Sequence, residues 1–140
     1  MIVLNIKHSK VFEDGYHEGW CNFSVNGYEF FGYGEPDDYN KTEIGYWLGY
    51  FSNLEKNILN KKSYYFWQFD TCDLWIGFNF IDNENIEVLS GELDSTISMS
   101  EVESVDAPEG LKIEHKEIVK VTHLLKAIRD SLSLFNNDCS

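Results

Sequence analysis

Carboxylates are the residues of this sequence that could most readily do chemistry. The pairs Asp37–Asp38 and Asp70…Asp73 could hold a cation, or act as a general acid and a general base. Because the 140 residues include 24 Asp and Glu, such pairs arise readily from composition alone. No Asp-x-Asp calcium loop and no glycine-rich phosphate loop accompanies them. The sequence therefore predicts no bound metal and no cofactor.

Cysteine, serine and histidine give no better support for catalysis. Cys72 lies between Asp70 and Asp73, whose negative charges would disfavour the thiolate that a nucleophile needs. No G-x-S-x-G motif surrounds a serine. The histidines are scattered, without metal-ligand spacing, at His8, His17, His115 and His123. We therefore expect a protein that is not an enzyme.

Charge is the strongest signal in the sequence. The formal net charge is −13, so we expect no direct binding to nucleic acid or to an anionic membrane, both of which require a basic surface. No Lys or Arg occurs between Lys62 and Lys112. That stretch contains Asp70, Asp73, Asp82, Glu84, Glu87, Glu92, Asp94, Glu101, Glu103, Asp106 and Glu109. It is either the solvated face of an acidic protein or a patch of one sign directed at a basic partner.

Aromatic residues are unusually frequent, at 16% of the chain. One small core has little room for Tyr33, Tyr39, Tyr46, Tyr50, Tyr64, Tyr65, Trp67 and Trp75 together. Exposed tyrosine and tryptophan rings beside carboxylates are typical of protein interfaces. The alternative is that about half of them cover the core and keep their polar ends in water.

Hydrophobic patterning predicts the order β-β-β-α-β-β-β-(β)-α. Asn26-Gly27 between two alternating runs indicates a hairpin in which Val25 faces Tyr28 and Phe23 faces Phe30. Three later strands joined by short turns predict a meander through residues 64–93, and a weaker strand is predicted from Thr96 to Val102. We expect one domain spanning residues 1–140, with an α+β fold. This fold has an antiparallel sheet, made of the meander plus the hairpin, and two main helices that pack mainly on one face of it.

Two amphipathic stripes predict the helices. The first helix is capped by Thr42, and its apolar face carries Ile44, Trp47, Leu48, Phe51, Leu54 and Ile58. The second runs from about Lys116 to Phe135, and its apolar face carries Ile118, Val121, Leu125, Ile128, Leu132 and Phe135.

Cysteine usage and hydropathy indicate a cytoplasmic protein. The three cysteines are odd in number and widely spaced, which favours free thiols in a reducing compartment. The first residues lack the basic and long apolar regions of a signal peptide. No stretch approaches the roughly 20 apolar residues that a membrane-spanning helix needs.

The layout of these elements resembles small bacterial immunity proteins, including those of contact-dependent growth inhibition and related polymorphic toxin systems. The resembling pieces are the 22–30 hairpin, the 44–58 helix, the meander through 73–80 and the strand-loop-helix that ends in 124–132. The resemblance implies a non-catalytic, cytoplasmic protein that binds one cognate toxin domain, frequently a basic nuclease. It assigns no toxin-binding residue, because these families share a layout rather than motifs.

The predicted function is therefore to bind and neutralise a basic, nuclease-type toxin domain through an acidic and aromatic surface. The alternatives are a small acidic adaptor or secretion chaperone for a basic client and, as a third class, an enzyme that uses a carboxylate pair. We place the toxin-binding surface on the segment without basic residues and on the neighbouring loop. The candidate residues are Glu35, Asp37, Asp38, Tyr39, Trp67, Asp70, Asp73, Trp75, Asp82, Glu84 and Glu87.

Overall fold

The fold belongs to the α+β class, as the sequence predicts. A computed structural model describes residues 1–11, 13, 17–32, 42–68, 74–93 and 102–138. Within those residues it contains two helices and two antiparallel sheets. The chain divides into two compact units: residues 1–52 with 123–140, and residues 53–122. The predictions of a single domain and of helices on one sheet face stay predictions. The hairpin and the meander lie in two separate sheets rather than in one.

The first unit contains a small antiparallel sheet. Its strands are β1 (Ile2–Val11), β2 (His17–Val25), β3 (Tyr28–Phe31) and β4 (Thr42–Glu43), in the order β1-β2-β3 with β4 also paired to β2. Asn26 and Gly27 have φ angles of 51° and 86°, the positive values that a tight hairpin turn requires. The predicted hairpin is therefore confirmed. Thr42 lies in β4, and the first helix begins only at Gly45, so Thr42 does not occupy the capping position that was predicted.

The hairpin register differs from the prediction at one point. Val25 does pair with Tyr28, but an irregularity between Phe23 and Ser24 shifts the ladder. Phe23 consequently lies opposite Phe31 rather than Phe30. A β-bulge of this kind lets two successive residues of one strand turn toward the core. Both Phe30 and Phe31 are accordingly buried.

Aromatic rings fill the core of this unit. Helix α1 (Gly45–Leu59) begins here, and its Trp47 stacks on Phe31 with ring centroids 4.2 Å apart. Phe51, four residues later on the same helix face, meets Phe23 edge to face at 6.0 Å. Helix α2 (Val121–Asp138) contributes Ser131, whose buried hydroxyl donates to the carbonyl oxygen of Leu4 at 2.6 Å.

The second unit is built on a five-stranded sheet. Its strands are β5 (Tyr64–Trp67), β6 (Leu74–Phe80), β7 (Asn85–Glu92), β8 (Glu103–Ser104) and β9 (Lys112–Lys120), in the order β8-β5-β6-β7-β9. The predicted meander is confirmed as β5-β6-β7. Because side chains alternate between the faces of a strand, Phe66 and Phe78 stack on one face while Tyr65 covers Gly77 on the other.

The last third of the chain contains a strand where the sequence pattern predicts a loop and the start of a helix. Residues 112–120 form β9 along β7, and α2 begins at Val121 rather than near Lys116. Ile118, assigned to the buried face of the helix, is a strand residue whose side chain is 60% exposed. The buried face of α2 includes Leu124 and Ile128, whereas Leu125 is only partly buried. The strand predicted from Thr96 lies outside the described residues, except for Val102.

Candidate protein-binding surface

The turn between β6 and β7 presents two of the predicted carboxylates. Asp82 and Glu84 are both exposed. The Asp82 Oδ1 atom accepts hydrogen bonds from the backbone N–H groups of Glu84 and Asn85, each at 2.8 Å. Those hydrogen bonds, first from Glu84 and then from Asn85, lower the pKa of the Asp82 carboxyl. Asp82 therefore stays anionic, but its side chain is also part of what holds the turn together.

Glu84 is fixed through its backbone and presents its side chain to solvent. Its N–H donates to Asp82, and its carbonyl oxygen accepts the N–H of Val121 at 2.9 Å. The turn is thus tied to the first residue of α2. A replacement of the Glu84 side chain changes the surface charge without removing either backbone contact.

Two further carboxylates act together on Tyr65. Burial raises the pKa of the Tyr65 phenol, and the negative charges of Glu87 and Asp106 raise it further. Glu87 belongs to β7, whereas Asp106 follows β8, where its N–H donates to the Ser104 hydroxyl at 3.1 Å. Carboxylates from opposite sides of the meander therefore produce a negative field at one tyrosine. Asp106 was not among the predicted binding residues.

The lysines of β9 reduce the charge imbalance of the acidic stretch. Lys112 lies opposite Glu92, and Lys116 lies opposite Leu89. Lys120 lies opposite Asn85, and its charge contributes to the lowered pKa of Asp82. The segment that lacks basic residues along the chain is therefore bordered by three lysines in space. The sequence alone overstates how uniform the charge of this surface is.

The two predicted tryptophans differ in exposure. Trp67 and Trp75 pair directly across β5 and β6. Trp75 is only 2% exposed and lies in a cluster with Tyr65, Leu89 and Leu93. Trp67 packs against this cluster but is only partly buried. The exposure that the prediction assumed for Trp75 is therefore wrong, and Trp67 is the described tryptophan of the pair that reaches the surface.

Three of the four other described aromatic residues of this set cover the core. Tyr50, Tyr64 and Tyr65 are buried, whereas Tyr46 is exposed. For these residues the structure favours the interpretation in which aromatic rings complete the core. The predicted site residues Glu35, Asp37, Asp38, Tyr39, Asp70 and Asp73 lie outside the described residues, as does Tyr33. Their assignment to the toxin-binding surface stays a prediction.

The structure groups the described candidates in two places. Asp82 and Glu84 share a turn at one end of the β6–β7 hairpin, while Trp67 and Trp75 lie near the other end. From Trp75 to the end of β6 the strand covers about 16 Å, at roughly 3.3 Å per residue. Glu87 lies on the same sheet face as Trp75, because it shares a side of β7 with Gly91, the partner of Trp75.

A polar groove was not predicted from the sequence. It has a volume of about 370 Å³ and is lined by Asn53, Asn57, Tyr64, Glu103, Ser104 and Val105. The two asparagines are four residues apart and therefore project from the same side of α1. That spacing is the only sequence signal for the groove, because β8, which supplies Glu103, is too short to be recognised by its pattern.

The remaining chemical candidates are few. Cys21 is buried, and burial raises the pKa of its thiol, which makes it unsuitable as a nucleophile. Across the described parts of the chain, no three His, Cys, Asp or Glu residues are grouped as ligands of a metal ion. Neither of the two described helices is both long and apolar enough to cross a membrane. No protein-family model, no curated protein and no solved structure matches this chain.

Proposed function

We propose that this protein is a cytoplasmic immunity protein that binds and neutralises a cognate, basic, nuclease-type toxin domain. The supporting observation is the convergence of Glu87 and Asp106 on Tyr65 in a chain with a net charge of −13. A negative field at a surface attracts a cationic partner and disfavours an anionic one. The layout that resembles immunity proteins points in the same direction.

The partner is a protein rather than a nucleic acid or a membrane. An acidic surface repels phosphates, whereas a nuclease must expose cations in order to bind them. Opposite charges would speed the encounter of the two proteins at low salt. Trp67 is the member of the tryptophan pair that reaches the protein surface. It supplies apolar contact area that would slow dissociation of the partner.

Neutralisation in a cell provides the direct test. Where the gene beside this chain encodes a large secreted protein, the C-terminal domain of that protein is the toxin candidate. That domain is induced in bacteria with and without this protein, and growth is measured. We expect growth only when both are present, and the two purified proteins should form a stable complex without nuclease activity.

Other outcomes separate the alternatives. A complex in which the client keeps its activity would overturn the proposal and favour an adaptor or secretion chaperone. The absence of both rescue and complex formation would also overturn it. A catalytically inactive toxin variant serves as the growth control, because it should permit growth whether or not this protein is present.

A further inference from the structure

The groove beside β8 is rich in hydrogen-bond acceptors. Asn53 Nδ2 donates to Glu103 Oε2 at 3.2 Å and to Oε1 at 3.5 Å. The hydroxyl of Tyr64 donates to the same carboxylate. Asn57 Nδ2 donates to the backbone oxygen of Asn53 at 2.8 Å. With both amide nitrogens acting as donors, each of these two lining asparagines keeps its side-chain oxygen to accept a hydrogen bond.

Glu103 is held in place at the rim of this groove. It lies opposite Phe66 in the β5–β8 ladder and therefore diagonally beside Tyr64 on the same face. Tyr64 is buried, so its hydroxyl reaches the carboxylate from a fixed ring. Glu103 itself is exposed and keeps lone pairs for a further donor. A negative charge is thus preorganised next to neutral acceptors, which suits a cation with several N–H groups.

We propose that this groove binds an arginine side chain of the basic protein partner. The inference rests on the proposed function and adds the chemical group that the partner inserts. A guanidinium presents five N–H donors in a planar fork, which can bind a carboxylate and amide oxygens simultaneously. A lysine ammonium is a compact point charge, so it is less able to bind a carboxylate and separate amide oxygens at the same time. Val105, 47% exposed at the groove, offers an apolar surface for the arginine methylenes.

The volume and the charge pattern fit a single side chain. A space of about 370 Å³ lies at the lower end of the range of roughly 300–1,000 Å³ that is usual for ligand pockets. None of the six residues that line the groove is a lysine or an arginine. A cation supplied by the partner would therefore meet Glu103 without a competitor among the lining residues.

Small probes test the groove without the toxin. N-acetyl-arginine amide and N-acetyl-lysine amide are titrated separately into the full chain, and the side-chain NH₂ signals of Asn53 and Asn57 are followed by NMR. We expect saturable shifts with the arginine probe and weaker binding of the lysine probe. Glu103→Gln should weaken arginine binding by about tenfold, because it removes the charge but keeps an acceptor for Tyr64 and Asn53.

Matched variants separate the groove from general charge effects. Glu84→Gln makes the same charge change at the β6–β7 turn and should leave arginine binding unchanged. Val105→Lys places a competing cation in the groove and should abolish binding. Val102→Lys, at a valine 43% exposed and outside the groove lining, should not. These lysine variants keep the test decisive if Glu103→Gln fails to fold.

Three results of the probe titrations would overturn the proposal: no saturable shift, equal binding of the two probes, or equal losses in the Glu103 and Glu84 variants. The toxin assay distinguishes this failure from failure of the proposed function. If Glu103→Gln and Val105→Lys bind and neutralise the toxin as well as the unmodified chain, the groove assignment is wrong while the function stands. If the arginine probe binds but no toxin is neutralised, the function is wrong while the arginine site stands.

Discussion

Trp67 and Trp75 are direct partners in the β5–β6 ladder and lie side by side on one sheet face, but only Trp67 reaches the surface. The indole Nε1 of Trp75 is buried without a hydrogen-bond partner among the described residues. A buried donor that makes no hydrogen bond loses its contact with water and gains nothing in return. Within the described residues, Trp75 therefore contributes through the packing of its ring and not through its N–H.

Replacing Trp75 with phenylalanine should accordingly be tolerated. Trp75→Phe keeps an aromatic ring and removes an N–H that has no partner among the described residues, so we expect a loss of less than about 2 kcal/mol in the free energy of unfolding. Trp75→Ala removes most of the packing and should cost about 3–5 kcal/mol. Urea unfolding followed by circular dichroism measures both values. Similar costs for the two variants would contradict this account of the N–H.

Much of the fold was predictable because its signals are local. Asn26-Gly27 specifies its hairpin turn through backbone conformation, and the β5-β6-β7 meander follows from alternating strands joined by short turns. The bulge at Phe23 was not predictable in this way. Phe30 and Phe31 are both apolar, so hydrophobicity alone gives no reason to pair one rather than the other with Phe23.

The error in the last third of the chain has a different cause. Ile118, Val121 and Leu125 recur at spacings of three and four residues, which fits a helix face although Ile118 lies in a strand. Pairing of β9 with β7 decides the conformation, and that pairing joins residues 20 to 35 positions apart, from Glu92–Lys112 to Asn85–Lys120. Helical periodicity in a sequence indicates that one face of a helix could be buried. It contains no information on whether the same residues can pair with the edge strand of a sheet.

The candidate surface was only partly predictable for the same reason. Asp82 and Glu84 were correctly expected at a turn, because Asp82-Asn-Glu-Asn85 separates two strands. The lysines that border β7 became apparent only with the β9 ladder. The groove brings Asn57 and Glu103 together from distant parts of the chain, and no spacing in the sequence records that proximity.

The buried face of α2 gives a second stability prediction. Leu124 is fully buried, whereas its neighbour Leu125 is only partly buried. We expect Leu124→Ala to cost about 2–5 kcal/mol of unfolding free energy, and Leu125→Ala clearly less, because truncation costs most where no solvent can fill the cavity. Chemical denaturation of the two variants provides the comparison. If Leu125→Ala costs more than Leu124→Ala, the apolar face predicted from the sequence, which contains Leu125, is the correct one.

The role of Asp82 in its turn predicts a pH dependence. Hydrogen bonds from the turn lower the pKa of Asp82 in the folded state, so its ionised form stabilises the fold. That contribution is present above the pKa of the unfolded chain and is lost as the pH falls through the folded pKa. Asp82→Ala should therefore lower the melting temperature at neutral pH, and the difference from the unmodified protein should shrink on acidification.

Two companion variants test whether the acceptor atom is responsible. Asp82→Asn retains an oxygen that can accept from the N–H groups of Glu84 and Asn85, so it should retain more stability than Asp82→Ala. Asn83→Ala, at the next exposed position of the same turn, controls for substitution as such. A loss in Asp82→Ala that stays constant from neutral to acidic pH would show that the ionised carboxylate does not hold the turn.

Charge reversal at Glu84 tests the acidic surface in the proposed toxin complex. Glu84 is preferable to Asp82 for this purpose, because Asp82→Lys would also break the turn. We expect Glu84→Lys to slow association with the toxin domain by about threefold to tenfold at low salt, with little effect on dissociation. Because salt screens the steering, the difference should diminish as ionic strength rises. Stopped-flow mixing at two salt concentrations measures both effects.

The matched control is Glu29→Lys on β3, an exposed position where the net charge changes by the same amount. If both variants slow association equally, the rate depends only on the overall charge of the protein, and the β6–β7 turn lies outside the interface.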